Sequence, residues 1–334
     1  MRKTAVLMQA FVLAVSVSIT VAGGVSAQAQ VSGPKGYPSK PVRLIVPYAA
    51  GGGNDVLGRN VSQKLQERMG QPWIVENRVG GGGNIGTDAV AKSAPDGYTL
   101  LLTVNTLTMS PALGEPLPYD ALKDLMPVAK LVTTPLVLIA HPRVPAANLK
   151  ELVAHSRANP GKLFYATPGT GTPHHFDMEW LKSITGLDAT HVPYKGAPQV
   201  LTDILEGRVQ FAFHALNSAL PHIRAGRLRA LATGGKQRLS YLKELPTIKE
   251  AGLSDFDSDI WYAIFAPAAT SKEIVNFLHV EMRRVLENQD LRKTLAGLGF
   301  EIAEEISSQA FLSEMVAETN RWKKLVSDKG LKFN

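Results

Sequence analysis

The chain has 334 residues, of which 45% are hydrophobic, and a formal net charge of +7. It contains no cysteine, which excludes disulfides, cysteine nucleophiles and cysteine-based metal sites. The length is enough for two domains with a full hydrophobic core. Beyond the N-terminal region, no segment is apolar for long enough to predict a membrane span.

The first 29 residues have the pattern of a secretory signal peptide. Arg2 and Lys3 give a positive start, residues 5–21 are mostly apolar, and the small residues that follow offer cleavage sites between residues 27 and 30. A membrane helix is the alternative, against which the glycines and small polar residues after the apolar run argue. The pattern predicts export to the periplasm, where nucleic acid is not an expected partner and the mild positive charge favours small anions.

The first strand of the exported chain leads into a glycine turn and a helix. The apolar run Val42–Val46 predicts a buried strand, residues 51–53 are all glycine, and the helix that follows is expected to end at Gly70. Asn54 or Asp55 is predicted to cap this helix. Such a strand, turn and helix N-terminus leave backbone N–H groups pointing into open space, and this geometry attracts anions.

The rest of the chain alternates strand-like apolar runs with helical patterns. Strands are predicted at Trp73–Glu76, Tyr98–Val104, Leu131–Ala140, Leu163–Thr167, Val209–Phe213, Leu228–Thr233 and Ile260–Ala266. Helices are predicted at Asn84–Lys92, Leu149–Ala158, His175–Thr185, Gln199–Glu206, Lys272–Glu287, Gln289–Leu298 and Ser308–Asp328. This alternation predicts an α/β fold with a mostly parallel, doubly wound sheet, or with two such sheets.

Two long extended stretches, Val132–Ala140 and Asp257–Ala266, are predicted to cross between two domains. Two crossings place both termini in the same domain. Domain 1 then comprises residues 30–132 and 258–334, and domain 2 comprises residues 133–257. A cleft lined by the ends of strands lies between them, which is where ligands bind in open α/β sheets.

Three loops at predicted strand ends are candidates for binding. They are Tyr48–Asp55, Thr103–Thr106 and Ala166–His175. The first and third are glycine-rich starts of helices, and their occurrence in one exported chain favours anion binding over ordinary turns. Neither is followed by the Gly-Lys-Ser/Thr of a nucleotide phosphate loop.

Other possible sites are weaker. Gly81–Gly86 matches a dinucleotide pattern but lacks the acidic residue about twenty positions on, so packing of a turn against the first domain is the favoured interpretation. His174 and His175, with Asp177 and Glu179 nearby, invite a metal site. Adjacent histidines on a helix point to different faces, so a hydrogen bond to a ligand or to the loop is favoured and no metal is expected. A hydrolase that uses one of the two histidines is kept as an alternative, although the Gly-x-Ser-x-Gly pattern does not occur.

Several motifs together resemble one family. They are Tyr37-Pro-Ser-Lys-Pro-Val-Arg-Leu-Ile-Val-Pro-Tyr48, Gly51-Gly-Gly-Asn-Asp55, Gly70-Gln-Pro72, Val75-Glu-Asn-Arg78, Ala94-Pro-Asp-Gly-Tyr-Thr-Leu100, His191-Val-Pro-Tyr-Lys-Gly196 and Leu245-Pro-Thr-Ile-Lys-Glu-Ala-Gly252. Over nearly all of the exported chain the sequence resembles the periplasmic solute receptors of tripartite tricarboxylate transporters, the Bug family. The resemblance implies a periplasmic-binding-protein fold of type II (a Venus flytrap) with two doubly wound domains and two crossover strands, and it implies no catalysis and no cofactor.

The resemblance also implies a site. In such receptors one ligand carboxylate is held between the first and third loops, partly through ordered waters. Carried over residue by residue, the implied ligand-binding residues are Tyr48, Ala50, Gly51, Gly52, Asn54, Asp55, Thr167, Gly169, Thr170, Thr172 and His175. Asn105 and Thr106 are expected to line the floor of the cleft. Neutral donors and bridging water bind a carboxylate without the desolvation cost of a buried arginine pair.

The sequence departs from the family pattern after the strand Val209–Phe213. His214 and Ala215 stand where Asp-Asn is usual, and this puts ligands with an amine in doubt. His214 suits a second carboxylate, a hydroxyl or an aromatic rim, unless it only packs at the loop. The third loop is also altered, since Thr170 and His174 are among the residues that stand where Asn and Ser are common.

The sequence therefore predicts a monomeric periplasmic receptor for an organic carboxylate, either a di- or tricarboxylate or an aromatic carboxylate. It would deliver this ligand to the membrane subunits of a tripartite transporter. The alternative is a sensor module that presents the same ligand to a membrane histidine kinase, and the sequence does not separate the two.

Overall fold

A computed structural model describes residues 31–333, except residues 240, 241, 254, 255 and 257. The predicted signal peptide lies outside the described residues, as does Asp257 at the start of the second predicted crossover. Within the described part of the chain, no helix is long and apolar enough to cross a membrane.

The elements follow the predicted alternation of strands and helices. The strands are β1 (Val42–Val46), β2 (Trp73–Asn77), β3 (Thr99–Val104), β4 (Leu125–Ala140), β5 (Phe164–Thr167), β6 (Thr190–Pro193), β7 (Phe211–Ala215), β8 (Arg229–Thr233), β9 (Asp259–Pro267) and β10 (Glu301–Ile302). The α-helices are α1 (Gly53–Met69), α2 (Asn84–Ala91), α3 (Thr106–Met109), α4 (Leu149–Ala158), α5 (Pro173–Thr185), α6 (Ala197–Leu205), α7 (Leu216–Arg224), α8 (Lys272–Leu286), α9 (Gln289–Gly297) and α10 (Ser308–Lys329).

The strands form two ladders that share β4. In the first lobe, β2, β1 and β3 are parallel, and β9 lies antiparallel between β3 and β4. In the second lobe, β6, β5 and β7 are parallel, and β7 and β8 pair antiparallel with β4. Strand β4 pairs with β9 from Leu125 to Pro135 and with β7 from Leu136 to Ala140. One continuous strand therefore passes from the first lobe into the second.

The prediction of mostly parallel sheets is right for the outer strands and wrong around β4 and β9. Two neighbouring parallel strands need a crossover connection that brings the chain back to the end of the sheet where the first strand began. Strands β4 and β9 instead carry the chain directly between the lobes in opposite directions, so they pair antiparallel along most of their length. The exact division at residues 133 and 258 stays a prediction.

Most helices and strands lie close to their predicted bounds, with five differences, one of which is the unpredicted two-residue strand β10. Strand β4 begins at Leu125 rather than Leu131, and β6, α3 and α7 were not predicted. Helix α7 contains Pro221, a residue that argues against a helix in sequence. The prediction that Asn54 or Asp55 caps α1 is wrong, because the helix starts at Gly53 and its N-cap is Gly52.

Helix α1 is held against the first ladder by a regular apolar face. Leu57, Val61 and Leu65 follow each other at four-residue spacing and are fully buried. Gly58 allows the helix to approach the sheet, since a Cβ there would lie 3.1 Å from the Leu102 side chain. At its end Gly70 adopts the left-handed conformation that closes the helix. This packing fixes where the N-terminus of α1 points.

Helix α10 contacts both lobes. Near its start, Phe311 packs on Trp261 of β9 with ring centroids 5.3 Å apart. Near its end, the buried Trp322 packs on Phe176 and Trp180 of α5, at 5.2 and 5.8 Å. The C-terminal helix is thus a third structural connection between the lobes, besides β4 and β9.

We expect Trp322→Ala to lower the free energy of unfolding by about 3–5 kcal/mol, because it removes a fully buried indole and leaves a cavity between α10 and α5. Val316→Ala is the matched control on the same helix, since Val316 is 41% exposed. The control should change stability by no more than about 0.5 kcal/mol. Urea unfolding at neutral pH measures both, and equal midpoints for the two variants would contradict the assigned packing.

Candidate functional site

A cavity of about 40 Å³ lies between the two lobes. Its lining residues are Tyr48, Ala49, Gly52, Gly53, Asn54, Val104, Thr106, Pro168, Thr172, Pro173, His174, Ala197, Ala215, Ser218, Ile260 and Tyr262. Among these residues there is no aspartate, glutamate, lysine or arginine. The cavity therefore combines apolar walls with neutral hydrogen-bonding groups.

Four helices of nine or more residues begin at this cavity, besides the four-residue α3, whose first residue Thr106 also lines it. The first residues of α1, α5 and α6, and the N-cap of α7, contribute Gly53, Pro173, Ala197 and Ala215 to the lining. A helix N-terminus carries the positive end of the helix dipole and backbone N–H groups without intrahelical acceptors. The sequence predicted two such helix starts, and the structure brings four of them to one cavity.

The first predicted loop is divided between the lining and its support. Tyr48, Gly52 and Asn54 line the cavity. The N–H groups of residues 53–55 have no backbone acceptor among the described residues, because the helix ladder starts with Val56 donating to the carbonyl of Gly52. Burial raises the pKa of Tyr48, so its hydroxyl stays protonated at neutral pH. This part of the loop can donate hydrogen bonds into the cavity.

Ala50, Gly51 and Asp55 are not among the lining residues. Ala50 and Gly51 are exposed, and the N–H of Gly51 donates to the Asp55 carboxylate at 2.9 Å. Burial raises the pKa of Asp55, but hydrogen bonds from Arg59 and Gly51 outweigh this effect and hold that pKa below its usual value. The Asp55 carboxylate thus stabilises the glycine turn and is not part of the cavity lining.

The second loop contributes Thr106 to the lining, whereas Asn105 supports it. The side chain of Asn105 is buried, and its Nδ2 donates to the carbonyl of Asp259 at 2.9 Å. This hydrogen bond ties the end of β3 to the start of β9. Of the two residues predicted to line the floor of the cleft, Thr106 does line the cavity and Asn105 supports the loop.

The third loop contributes Thr172 to the lining. Thr167 and Gly169 instead shape the loop: the Thr167 hydroxyl lies 2.7 Å from Nε2 of His191, and the Gly169 carbonyl accepts a 2.7 Å hydrogen bond from the Thr172 hydroxyl. Thr170 is exposed and faces the first lobe, where a Cβ on Gly82 would lie 2.6 Å from its carbonyl oxygen.

Of the two adjacent histidines, His174 lines the cavity and His175 does not. The ring of His175 is fully buried, stacks on His191 at 3.9 Å and accepts the N–H of Gly171 through Nδ1 at 3.4 Å. His175 was the predicted ligand-binding residue because the family resemblance implies it. Because α5 starts at Pro173, His174 lies on the side of the first helical turn that faces the cavity.

His214 also lies behind the cavity wall. Its ring is fully buried, with Nε2 3.3 Å from the carbonyl of Ala197 and Nδ1 3.2 Å from the carbonyl of Ala215. Burial lowers the pKa of His214, and the two carbonyls partly offset that effect. The residue joins the starts of α6 and α7, which agrees with the packing alternative considered for it.

Several lining residues were missed in the sequence. Tyr262 and Ile260 come from β9, the predicted crossover strand, and Ser218 from the unpredicted α7. Ala197 follows Gly196 and precedes a proline, a combination that marks a helix start and could have indicated the third N-terminus. Within the described part of the chain, no cluster of three or more His, Asp or Glu side chains could hold a metal ion.

The lobes approach each other closely at glycines. A Cβ on Gly196 of the second lobe would lie 2.7 Å from Cβ of Ala49, and one on Gly53 would lie 2.7 Å from Nδ2 of Asn217. The predicted packing of the Gly81–Gly86 turn on the first lobe is confirmed, since Gly86 abuts Pro47. The cavity is narrow because the lobes are in contact around it.

Solved structures of periplasmic binding proteins share this fold. One from R. palustris, solved with adipate, matches with a TM-score of 0.84 and 32% identity over 88% of this chain and 99% of that one. MatC from Rhodopseudomonas palustris, solved with bound malate, matches with a TM-score of 0.83 and 30% identity over 87% of this chain and 100% of that one. The protein BugT of Bordetella pertussis is 36% identical over 301 residues, 89% of this chain and 91% of BugT.

The fold and the cleft define the class, a two-domain solute-binding protein of the periplasmic type, as the sequence predicted. Residues 57–331 match the model of the tripartite tricarboxylate transporter family receptor. The chain belongs to this receptor family, which includes the Bug proteins. It is a receptor and not an enzyme, so the hydrolase alternative is set aside.

We expect Gly196→Ala to hold the lobes further apart, because the added Cβ would sit 2.7 Å from the Ala49 side chain. The chain has no cysteine, so two introduced cysteines, one in each lobe, can carry spin labels without background. Dipolar electron spin resonance should give a longer distance between labels in the variant. Gly297→Ala, which has open space around its Cβ, is the control and should leave the distance unchanged. An unchanged distance in both would contradict the contact.

We also expect stability to fall as the pH is lowered from 7 to 5. Burial lowers the pKa of His174 and of His175 to about 3, so the unfolded chain, with histidine pKa values of about 6.5, binds more protons in this range. Each histidine should cost about 2 kcal/mol of unfolding free energy between pH 7 and pH 5. Urea unfolding at the two pH values checks this, and His175→Asn should reduce the difference. Equal unfolding free energies at both pH values would refute it.

Proposed function

We propose that the chain is a periplasmic receptor that binds an organic carboxylate between its lobes and delivers it to the membrane subunits of a tripartite tricarboxylate transporter. The observation that carries this proposal is the meeting of four helix N-termini at a cavity whose lining has no charged side chain. A positive potential without basic side chains suits a small anion that must be released again.

Carboxylate is the favoured anion for two reasons. The N–H groups of Gly53 and Asn54 on α1 and the hydroxyls of Tyr48 and Thr106 are neutral donors of the kind that carboxylate oxygens accept. The adipate and malate complexes of the similar R. palustris proteins support the same class of ligand for this chain. Within this class, di- and tricarboxylates and aromatic carboxylates are all retained.

The ligand contacts are proposed for the predicted residues that line the cavity: Tyr48, Gly52, Asn54, Thr106 and Thr172. Most of the other predicted residues hold these in place. Gly51, Asp55, Asn105, Thr167, Gly169, Thr170, His175 and His214 belong to this supporting group, whereas Ala50 is exposed and does not line the cavity. Of the fourteen residues predicted to bind the ligand, we thus propose direct contact for the five that line the cavity.

Opening of the lobes is part of the proposed function. The cavity of about 40 Å³ lies where the two lobes are in contact, for example at Gly196 and Ala49. The lobes must therefore separate to admit a ligand and then close around it. The proposed site of action is the periplasm, as the N-terminal pattern and the family suggest.

The test is calorimetric and thermal titration of the purified protein with a panel of carboxylates. A ligand at about 100 times its dissociation constant should raise the unfolding free energy by roughly 2.7 kcal/mol. Ala197→Leu, which fills the cavity at the start of α6, should abolish binding, whereas Ala225→Leu at the exposed end of α7 should not. Absence of any stabilisation by millimolar carboxylates would contradict the proposal.

A further inference from the structure

One side chain in the cavity has hydrogen-bonding capacity that the protein does not use. His174 lies in the first turn of α5, lines the cavity and is only 7% exposed. Neither Nδ1 nor Nε2 has a hydrogen-bond partner within the described part of the chain. Buried polar groups are nearly always paired, so an unpaired imidazole at a ligand cavity points to a partner supplied by the ligand.

The other two histidines near the cavity differ in this respect. Both ring nitrogens of His214 lie within 3.3 Å of carbonyl oxygens, and Nδ1 of His175 accepts the N–H of Gly171. The ring of His174 meets that of His214 edge to face, with centroids 6.3 Å apart. His214 thus packs beside His174 without pairing with either ring nitrogen of His174.

The protonation state of His174 decides which ligand group suits it. Burial lowers the pKa of His174, and the neighbouring His214 lowers it further, so the imidazole is neutral at physiological pH. A neutral imidazole offers one N–H donor and one bare nitrogen that accepts. A carboxylate has oxygens that only accept, so it can pair with the donor and leaves the acceptor without a proton.

A second lining residue, Asn54, also carries a buried acceptor without a hydrogen-bond donor in the part of the chain that the structure describes. Oδ1 of Asn54, at the start of α1, is buried and has no hydrogen-bond partner among the described residues. The cavity thus presents acceptors as well as donors. A ligand that carries only carboxylates would leave both acceptors unmet, whereas a hydroxyl group can donate one hydrogen bond and accept another.

We propose that His174 selects ligands that carry a hydroxyl group in addition to the carboxylate, so that the preferred class is the hydroxy acids. The carboxylate end lies at the helix N-termini and the hydroxyl lies against the imidazole. This inference rests on the proposed carboxylate receptor and adds to it the group that distinguishes one acid from another. A site built to pair a hydroxyl discriminates strongly against an analogue without it.

The experiment compares acids that differ by one hydroxyl. Malate is titrated against succinate, and 3-hydroxybenzoate against benzoate, by calorimetry with the purified protein. We expect the hydroxylated member of at least one pair to bind about tenfold or more tightly. In His174→Phe this ratio should fall below about threefold, while His174→Asn, which keeps one donor and one acceptor, should retain part of it. His222→Phe, outside the cavity lining, is the matched control and should keep the full ratio.

The outcomes distinguish the role of His174 from carboxylate binding itself. Equal affinities within both pairs in the unmodified protein, or an unchanged ratio in His174→Phe, would overturn the role of His174 and leave carboxylate binding intact. Absence of binding by all four acids would instead count against the carboxylate receptor itself. If His174→Phe does not fold, the ¹⁵N chemical shifts of the His174 ring in the unmodified protein replace it. They should move on binding of the hydroxy acid and not of its partner, and equal shifts would refute the proposal.

Discussion

The continuity of β4 is the constraint on which the site depends. This strand of 16 residues pairs with β9 as far as Pro135 and with β7 from Leu136 onwards, so a single backbone carries the geometry of one ladder into the other. Helices α1, α5, α6 and α7 each start after a strand or loop anchored to one of these ladders. Proline has no N–H for the ladder, and Pro135 stands where β4 changes its partner from β9 to β7.

The charge of the site follows from this arrangement. Because the lobes bring helix N-termini together, the protein creates a positive potential with backbone groups and needs no buried lysine or arginine. A lysine or arginine in the cleft would lose its hydration when the lobes close and would then form a strong ion pair with the ligand, which makes release of the ligand costly. The carboxylate of Asp55 serves the same geometry from outside, since it orders the glycine turn before the start of α1.

Short-range signals in the sequence predicted the parts of the structure that depend on neighbours in the chain. The strand Val42–Val46, the helix that Gly70 ends and the glycine-rich loops are of this kind. The pairing of β4 with β9 depends on residues far apart and was predicted only as two crossings, without direction. The choice between His174 and His175 depended on the helix phase, which follows from a start at Pro173 that periodicity alone does not define.

The approach of the two lobes is limited by glycines at the contacts between them. Where Gly53 and Gly196 meet the opposite lobe, a Cβ would already lie 2.7 Å from its neighbour, so these glycines set how closely the lobes approach. The space left between them belongs to the ligand and its waters. Gly53 and Gly196 thus limit how closely the lobes approach, whereas His174 and Asn54 carry acceptors in the lining of the cavity that are unpaired within the described residues. A side chain such as that of His174 can therefore be exchanged, and ligand preference changed, without altering the glycine contacts between the lobes.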